Sequence, residues 1–172
     1  MHSTKNSYDD LVDLVTSSPS ETQSLGRSIG AWLPKPSVLG LDGPLGAGKT
    51  CFVQGLAWGL GIPATTHVTS PAYTLVQEYL LGSRKLVHID FYRLSTLTNT
   101  DFMLFQELLE NPNHIVVIEW ASKFLSDLVP EFLTISISLG QDKNQRNFRV
   151  SSTSPRYVEL LDKLSNHANT GS

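Results

Sequence analysis

The chain has 172 residues, of which 40% are apolar and 17% are charged, and its formal net charge is −3. This length suffices for one compact domain with its own core, and the composition fits an ordinary globular protein. Because the sequence contains no basic block, a large nucleic-acid footprint made by this chain alone is not expected, and neither is DNA binding.

The only cysteine, Cys51, excludes an intrachain disulfide and favours a reducing compartment. The first seven residues are polar and lack the apolar core of a signal peptide. No apolar run approaches the roughly 18 residues that a membrane helix needs. We therefore expect a cytoplasmic protein with no membrane segment.

The two ends of the chain are polar and are expected to be flexible, over residues 1–8 and 166–172, which leaves one domain over residues 9–165. The apolar residues at 11–15 predict a short edge strand. A helix is predicted to begin after Ser18, which can cap it with Glu21 in a capping box, and to end near Leu33.

The segment from Gly43 to Thr50 matches G-x-x-x-x-G-K-[ST], the phosphate-binding P-loop. An apolar strand at Val38–Asp42 precedes it, and a helix at Cys51–Trp58 follows it. Strand, glycine loop and helix is the order that the motif requires, because the helix N-terminus supplies unpaired N–H groups to a phosphate.

The motif assigns a role to each P-loop residue. Backbone N–H groups from about Gly46 to Thr50 would surround the β-phosphate, Lys49 would reach the β- and γ-phosphates, and the Thr50 hydroxyl would ligate Mg²⁺. The predicted nucleotide-binding residues of this segment are Gly43, Leu45, Gly46, Ala47, Gly48, Lys49, Thr50 and Cys51. For Cys51 two interpretations remain, a redox-sensitive thiol at the nucleotide and a small half-buried residue of the first helical turn.

The rest of the chain alternates predicted strands and helices around a buried central sheet, which indicates an α/β fold in a single domain. The predicted strands are 75–80, 85–91, 114–120, 132–139 and 148–151, and the predicted helices are 100–110 and 155–164.

Two predicted buried strands end in a carboxylate, Asp90 and Glu119. Open parallel sheets place ligands at the carboxyl ends of their strands, so both are candidates to hold Mg²⁺. One would suffice for the metal, and the other could orient or deprotonate the attacking water. Either could instead be a strand-end carboxylate in an ion pair or a helix cap.

Four further features allow more than one interpretation. His88 fits a hydrogen-bonded histidine of the core or cleft better than a zinc ligand, since no second His/Cys pair accompanies it. Arg93 could sense the γ-phosphate or pair with a carboxylate, and Trp120 could stack on a nucleobase or belong to the core. The hydroxyl-rich segment 68–74 could be a switch loop or a Ser-Pro turn before an edge strand.

Several signatures are missing from the sequence. It has no Asn-Lys-x-Asp stretch of GTPases, no Leu-Ser-Gly-Gly-Gln of transporter ATPases and no arginine-rich lid of small kinases. A small P-loop metabolite kinase and a nucleotide-responsive binding module with incidental hydrolysis stay open as alternatives.

Four segments occur in a characteristic order: Leu41 with the P-loop, Val68–Val76, His88–Leu94 and Ile118–Trp120. Together they resemble the TsaE (YjeE) family, the small ATPase of bacterial tRNA threonylcarbamoyladenosine synthesis, over about residues 18–140. The resemblance implies a P-loop NTPase-like fold with a mixed, mainly parallel sheet flanked by helices. It also implies ATP and Mg²⁺ as ligands.

The resemblance further implies roles for individual residues and a set of partners. Asp90 would lie on the metal side, Glu119 would act on the attacking water, and Trp120 would lie near the adenine. The switch would contain Thr69, Ser70 and Thr74. The partners would be TsaD and TsaB homologues, which install the threonylcarbamoyl group on A37 of tRNAs that read ANN codons and hold most of the tRNA.

The sequence departs from the family pattern at three places. Cys51 stands where a second Thr is usual, which would weaken binding if that hydroxyl holds nucleotide or metal. Ala72 removes one hydroxyl from the switch. Leu104-Phe105 replaces a common Leu-Gly pair, which changes the expected loop geometry there.

Overall fold

The computed structural model describes residues 10–170 of the chain. The strands in this range are β1 (Asp10–Thr16), β2 (Ser37–Asp42), β3 (Val76–Leu81), β4 (Arg84–Asp90), β5 (His114–Glu119), β6 (Leu133–Leu139) and β7 (Arg146–Ser152). The helices are α1 (Pro19–Trp32), α2 (Lys49–Leu60), α3 (Asn99–Glu110), α4 (Leu125–Leu128) and α5 (Val158–Thr170), with 3-10 turns at Ala121–Lys123 and Pro155–Tyr157.

The strands form one sheet in the order β1-β7-β6-β2-β5-β4-β3. The four central strands, from β6 to β4, run parallel to one another. Antiparallel strands complete both edges of the sheet. On one edge β3 pairs with β4, and on the other β7 pairs with β6 and β1 pairs with β7. The predicted α/β fold with a mixed sheet is confirmed, and so is the edge strand at the start of the chain. Because β2, β4 and β5 are parallel, their carboxyl ends lie at one edge of the sheet.

Helices cover both faces of the sheet, which explains the apolar central strands. Every residue of β5 is buried, as expected for a strand without a solvent-facing side. One apolar layer packs the sheet against α1, α2 and α5, and the other packs it against α3 and α4.

Helices α1 and α2 approach each other closely through glycines. A Cβ on Gly55 would lie 2.0 Å from the carbonyl oxygen of Gln23, and one on Gly59 would lie 2.1 Å from that of Arg27. Any side chain at these positions would force the two backbones apart. The contact therefore fixes α2, whose first turn follows the P-loop, against the rest of the domain.

Ser18 caps α1 as predicted, since its Oγ accepts the N–H of Glu21 at 3.1 Å. The Glu21 carboxylate accepts the N–H of Ser17 rather than that of Ser18, so the predicted capping box is displaced by one residue.

No helix within residues 10–170 is long and apolar enough to cross a membrane.

The last helix differs from its predicted extent. It continues to Thr170, so residues 166–170, which were predicted to belong to a flexible tail, are helical. Asn166, His167 and Asn169 are exposed, and no glycine or proline interrupts the segment before Gly171. The predicted flexible segment 1–8 and residues 171–172 lie outside the described part.

Candidate functional site

The P-loop has the predicted strand–loop–helix geometry, because β2 ends at Asp42 and α2 begins at Lys49. Gly46 and Gly48 have φ angles of +78° and +98°, a region that glycine adopts without strain. The first N–H groups of α2 have no carbonyl partner within the helix. Together with the helix dipole, they make this end of α2 suitable for an anion.

Lys49 is buried, with 5% of its surface exposed, and its ammonium points back at the loop. The Nζ donates to the carbonyl oxygens of Gly43 at 2.7 Å and Pro44 at 3.0 Å. Burial lowers the pKa of Lys49 below its usual value, while the nearby carboxylates of Glu119, Asp90 and Asp42 oppose this shift. The negative charges of these three carboxylates favour the ammonium form.

Trp120 lies against this ammonium. The Nζ of Lys49 is 4.3 Å from the centroid of the Trp120 ring. The ring centroids of Tyr92 and Trp120 are 5.2 Å apart. Trp120 has a left-handed φ of 58°, and the turn after it is held by Asp42, which accepts hydrogen bonds from the N–H and hydroxyl of Ser122. The end of β5 thus directs the indole to the lysine.

The two strand-end carboxylates occupy one site. Asp90 and Glu119 are register partners on the parallel strands β4 and β5, and each is 3% exposed. Glu119 Oε1 accepts the hydroxyl of Thr50 at 3.3 Å. Asp90 accepts the hydroxyl of Ser70 at 2.5 Å and the N–H of Tyr92 at 2.8 Å. Within residues 10–170 Asp90 forms no ion pair or helix cap, whereas Glu119 contacts the imidazole of His88.

His88 is buried and contacts Glu119, a contact that the sequence analysis did not predict. Its side chain is fully buried, and its Nε2 lies 2.9 Å from Glu119 Oε1. Its Nδ1 has no hydrogen-bond partner in the described part of the chain. The Nε2–H tautomer therefore donates to the carboxylate, because an Nδ1–H here would leave a buried donor unpaired. The prediction of a hydrogen-bonded core histidine is confirmed.

The predicted switch residues do not all reach the site. Ser70 lines it and binds Asp90, whereas Thr69 and Thr74 are exposed and do not line the cavity. The guanidinium of Arg93 lies 4.1 Å from the ring centroid of Tyr73, which is 86% exposed. Arg93 and Tyr73 thus stand together at the opening.

These groups surround one open cavity of about 450 Å³. Its lining residues include Leu45, Gly46, Gly48, Lys49, Thr50, Cys51, Ser70, Asp90, Arg93, Glu119 and Trp120. Ala47, by contrast, is fully buried in the core beneath the loop. Oxygen groups of Thr50, Asp90 and Glu119 therefore face the same space as the P-loop and Lys49.

Cys51 is half-buried on the first turn of α2, and its Sγ donates to the carbonyl oxygen of Pro19 at 3.4 Å. Burial raises the pKa of this thiol, against the opposing charge of Arg146. These properties match the interpretation of Cys51 as a small residue of the first helical turn rather than a reactive thiol.

Arg146 contacts the P-loop, although no sequence signal pointed to it. From the start of β7 its Nε donates to Ala47 O at 3.0 Å and its Nη2 to Gly46 O at 3.2 Å. Its Nη1 donates to the carbonyl oxygens of Lys143 and Gln145 in the β6–β7 turn. One side chain thus links this hairpin to the outer side of the P-loop.

The fold and the site define an α/β protein with a P-loop and two acidic strand ends at one sheet edge. A family model described as "Threonylcarbamoyl adenosine biosynthesis protein TsaE" matches residues 16–148. The chain therefore belongs to the TsaE family, as its motifs indicated.

Relatives and a solved structure agree with this assignment. A "tRNA threonylcarbamoyladenosine biosynthesis protein TsaE" from Bacillus subtilis (strain 168) is 34% identical over 154 residues, which cover 90% of this chain and 94% of the relative. One from Treponema pallidum (strain Nichols) is 40% identical over 131 residues, covering 76% and 94%. The crystal structure of YdiB from Bacillus subtilis superposes with a TM-score of 0.75 at 31% identity, covering 92% of this chain and 97% of that chain.

Proposed function

We propose that this chain is a cytoplasmic ATPase that binds ATP with Mg²⁺ and serves the biosynthesis of threonylcarbamoyladenosine in tRNA. One observation carries the proposal: Lys49, Thr50, Asp90 and Glu119 line the same cavity at the carboxyl edge of the sheet. A phosphate-binding loop, a hydroxyl and two carboxylates are the groups that nucleotide hydrolysis requires. Membership of the TsaE family supports the pathway.

The side chains at this edge suit Mg²⁺. Thr50, Asp90 and Glu119 offer hard oxygen ligands, and Mg²⁺ is commonly held by one or two carboxylates together with substrate phosphates and water. No group of three or more His, Cys, Asp or Glu side chains that could hold a metal occurs within residues 10–170. The ion would therefore need the phosphates to complete its shell. When bound, it would neutralise charge on the β- and γ-phosphate oxygens.

The protein groups act mainly by position and charge. Lys49 exchanges the carbonyl oxygens of Gly43 and Pro44 for phosphate oxygens, while the N–H groups at the start of α2 hold the β-phosphate. Glu119 orients a water molecule, whose oxygen bonds to the γ-phosphorus as the bond to the bridging oxygen of ADP breaks. The proton of that water passes to Glu119 and then to solvent. His88 keeps the carboxylate of Glu119 in place.

Partners complete the proposed function. TsaD and TsaB homologues would bind this chain and hold most of the tRNA, and hydrolysis would be slow without them. Ser70, Thr69 and Thr74 belong to the segment proposed to switch, and the Ser70–Asp90 hydrogen bond connects it to the acidic edge. Arg93 and Tyr73 stand at the opening, where a γ-phosphate or a partner could be sensed.

A test of the nucleotide site uses Lys49→Ala, with Lys163→Ala as the matched control. Lys163 forms an exposed pair with Glu159 on α5, so its loss should leave ATP binding unchanged. We expect Lys49→Ala to abolish ATP binding, which calorimetry measures. It should also abolish phosphate release in the presence of TsaD and TsaB. Undiminished hydrolysis by Lys49→Ala would overturn the proposal.

A second experiment addresses the reaction class. Glu119→Ala should bind ATP, fail to release phosphate and fail to support the tRNA modification in cells. A hydrolysis-deficient variant that still supports modification would indicate a nucleotide-responsive binding module. Transfer of labelled phosphate to an acceptor other than water would indicate a kinase.

A further inference from the structure

We infer that Lys123 is a positioning residue of the proposed metal site: its ammonium holds the turn at residues 91–94, and that turn orients the carboxylate of Asp90. The inference rests on the proposed function, in which Asp90 lies on the metal side. Lys123 does not line the cavity described above, so it acts on the site only through the turn.

Three backbone carbonyl groups converge on the ammonium of Lys123. Its Nζ donates to the carbonyl oxygens of Phe91 at 3.1 Å, Tyr92 at 2.7 Å and Leu94 at 3.1 Å. An ammonium has three N–H donors, so these three carbonyls can use all of them. Hydrogen bonds from a charged donor are stronger than neutral ones, which offsets the entropy lost in ordering a long side chain. One side chain thus fixes most of the turn.

The same turn supports the carboxylate of Asp90. The N–H of Tyr92 donates to Asp90 Oδ1 at 2.8 Å, and the hydroxyl of Ser70 donates to Oδ2. The carbonyl of Phe91 and the N–H of Tyr92 belong to one planar peptide group. Lys123 therefore binds one end of this peptide plane while Asp90 binds the other. Loss of the ammonium would free the plane to rotate, and the carboxylate would lose a fixed donor.

The position of Lys123 is set by the ends of two other strands. Lys123 ends the 3-10 turn Ala121–Lys123, and its N–H donates to the carbonyl oxygen of Trp120 at 3.3 Å. Asp42, the last residue of β2, accepts hydrogen bonds from the N–H and hydroxyl of Ser122 in the same turn. Lys123 therefore connects the end of β4 to those of β2 and β5, which surround the cavity.

Lys123 also lies at one end of a row of cations and aromatic rings. Its Nζ is 5.9 Å from the ring centroid of Tyr92, and the ring of Tyr92 packs against that of Trp120. The ammonium of Lys49 lies over the other ring of the row, that of Trp120. Cations are attracted to aromatic faces within about 6 Å. The turn held by Lys123 thus also sets the contact between Tyr92 and Trp120.

The first test measures ATP binding by Lys123→Met in the full chain, with saturating Mg²⁺ and with EDTA. Methionine keeps most of the apolar stem and removes the ammonium. With Mg²⁺ the dissociation constant for ATP should rise about fivefold, equivalent to about 1 kcal/mol. With EDTA it should stay unchanged, because no metal then engages Asp90. A general effect on the fold would change both values.

Lys85→Met is the matched control. Lys85 lies on β4, the strand that ends at Asp90, and forms an exposed pair with Glu78. Its loss should leave ATP binding unchanged with Mg²⁺ and with EDTA. An unchanged affinity in Lys123→Met with Mg²⁺, or an equal loss with Mg²⁺ and with EDTA, would overturn the inference.

The second test combines Lys123→Met with Asp90→Ala. The double variant should bind ATP with Mg²⁺ as Asp90→Ala does, because the carboxylate through which Lys123 acts is missing. A further fivefold loss in the double variant would overturn the inference and leave the proposed function standing. The unaltered protein tests the proposed function separately: if it binds ATP no more tightly with Mg²⁺ than with EDTA, the proposed metal site itself fails.

Discussion

Lys49 and Trp120 form a cation–π pair, with the ammonium 4.3 Å from the ring centroid. Such a pair contributes about 0.5–2 kcal/mol, the larger value when it is desolvated. It also makes the indole a reporter of the lysine position, because a bound phosphate competes for the same ammonium.

We expect the emission of Trp120 to change when phosphates bind. The measurement uses Trp32→Phe/Trp58→Phe, which leaves Trp120 as the one tryptophan of the three in the sequence. ATP and tripolyphosphate should alter its fluorescence similarly, and Lys49→Met in the same background should abolish the response. A response to ATP alone would place the base, rather than the lysine, next to the ring.

Asp90 and Glu119 should respond differently to loss of charge. Glu119→Gln keeps an acceptor for His88 but cannot take a proton, so we expect near-normal ATP affinity and at least about a hundredfold loss of hydrolysis. Asp90→Asn should instead raise the Mg²⁺ concentration required for half-maximal ATP binding. The two variants are compared by calorimetry and phosphate release across a Mg²⁺ series. If only Glu119→Gln required more Mg²⁺, Glu119 would be the metal ligand and Asp90 the residue that acts on water.

Arg146→Lys tests whether the β6–β7 hairpin supports the P-loop. Lysine cannot reproduce the donors that reach Gly46 O, Ala47 O and the hairpin turn together. We expect ATP binding to weaken about tenfold, or about 1.4 kcal/mol, with little change in the melting temperature. Arg149→Lys, on the same strand but in an exposed pair with Asp13, should leave ATP binding unchanged. A matching loss in both variants would indicate a general effect of the strand.

The sequence predicted the parts of the site that are local or that follow from strand direction. The P-loop is contiguous, and Asp90 and Glu119 end apolar runs whose parallel pairing brings them together. The role of Arg146 could not be predicted in this way, because no motif surrounds it. Its hydrogen bond to the carbonyl oxygen of Ala47 joins residues that are 99 positions apart in the sequence. The pairing of His88 with Glu119 likewise depends on which strands become neighbours.

Gly55→Ala should destabilise the domain although alanine favours helices. The gain in helix propensity is about 1 kcal/mol, but the new Cβ would lie 2.0 Å from the carbonyl oxygen of Gln23, a backbone atom that cannot rotate away. Overpacking costs about 1–3 kcal/mol or more, so the melting temperature should fall by several degrees. Ser24→Ala, on the exposed side of α1, is the control and should melt normally. ATP affinity should also decrease in Gly55→Ala, since α2 carries Lys49 and Thr50.

Tyr157 gives the domain a defined sensitivity to alkaline pH. Its buried hydroxyl accepts the N–H of Val38 and donates to the carbonyl of Val38, both at 3.1 Å, at the start of the strand that leads to the P-loop. Burial raises the pKa of Tyr157 above 10.0, against the opposing effect of the hydrogen bond with Val38. Above pH 10.0 the unfolded chain loses this proton first, so the folded state holds more protons and its stability falls as pH rises.

Tyr157→Phe should therefore be less stable at neutral pH, by about 1–3 kcal/mol, because the N–H of Val38 is left buried without its partner. Between neutral pH and pH values above 10.0, Tyr157→Phe should lose less stability than the unaltered protein, since it lacks the titrating hydroxyl. Tyr73→Phe is the control, because that side chain is exposed. Urea unfolding at neutral and alkaline pH measures both effects, and parallel pH profiles for Tyr157→Phe and the unaltered protein would contradict the assignment.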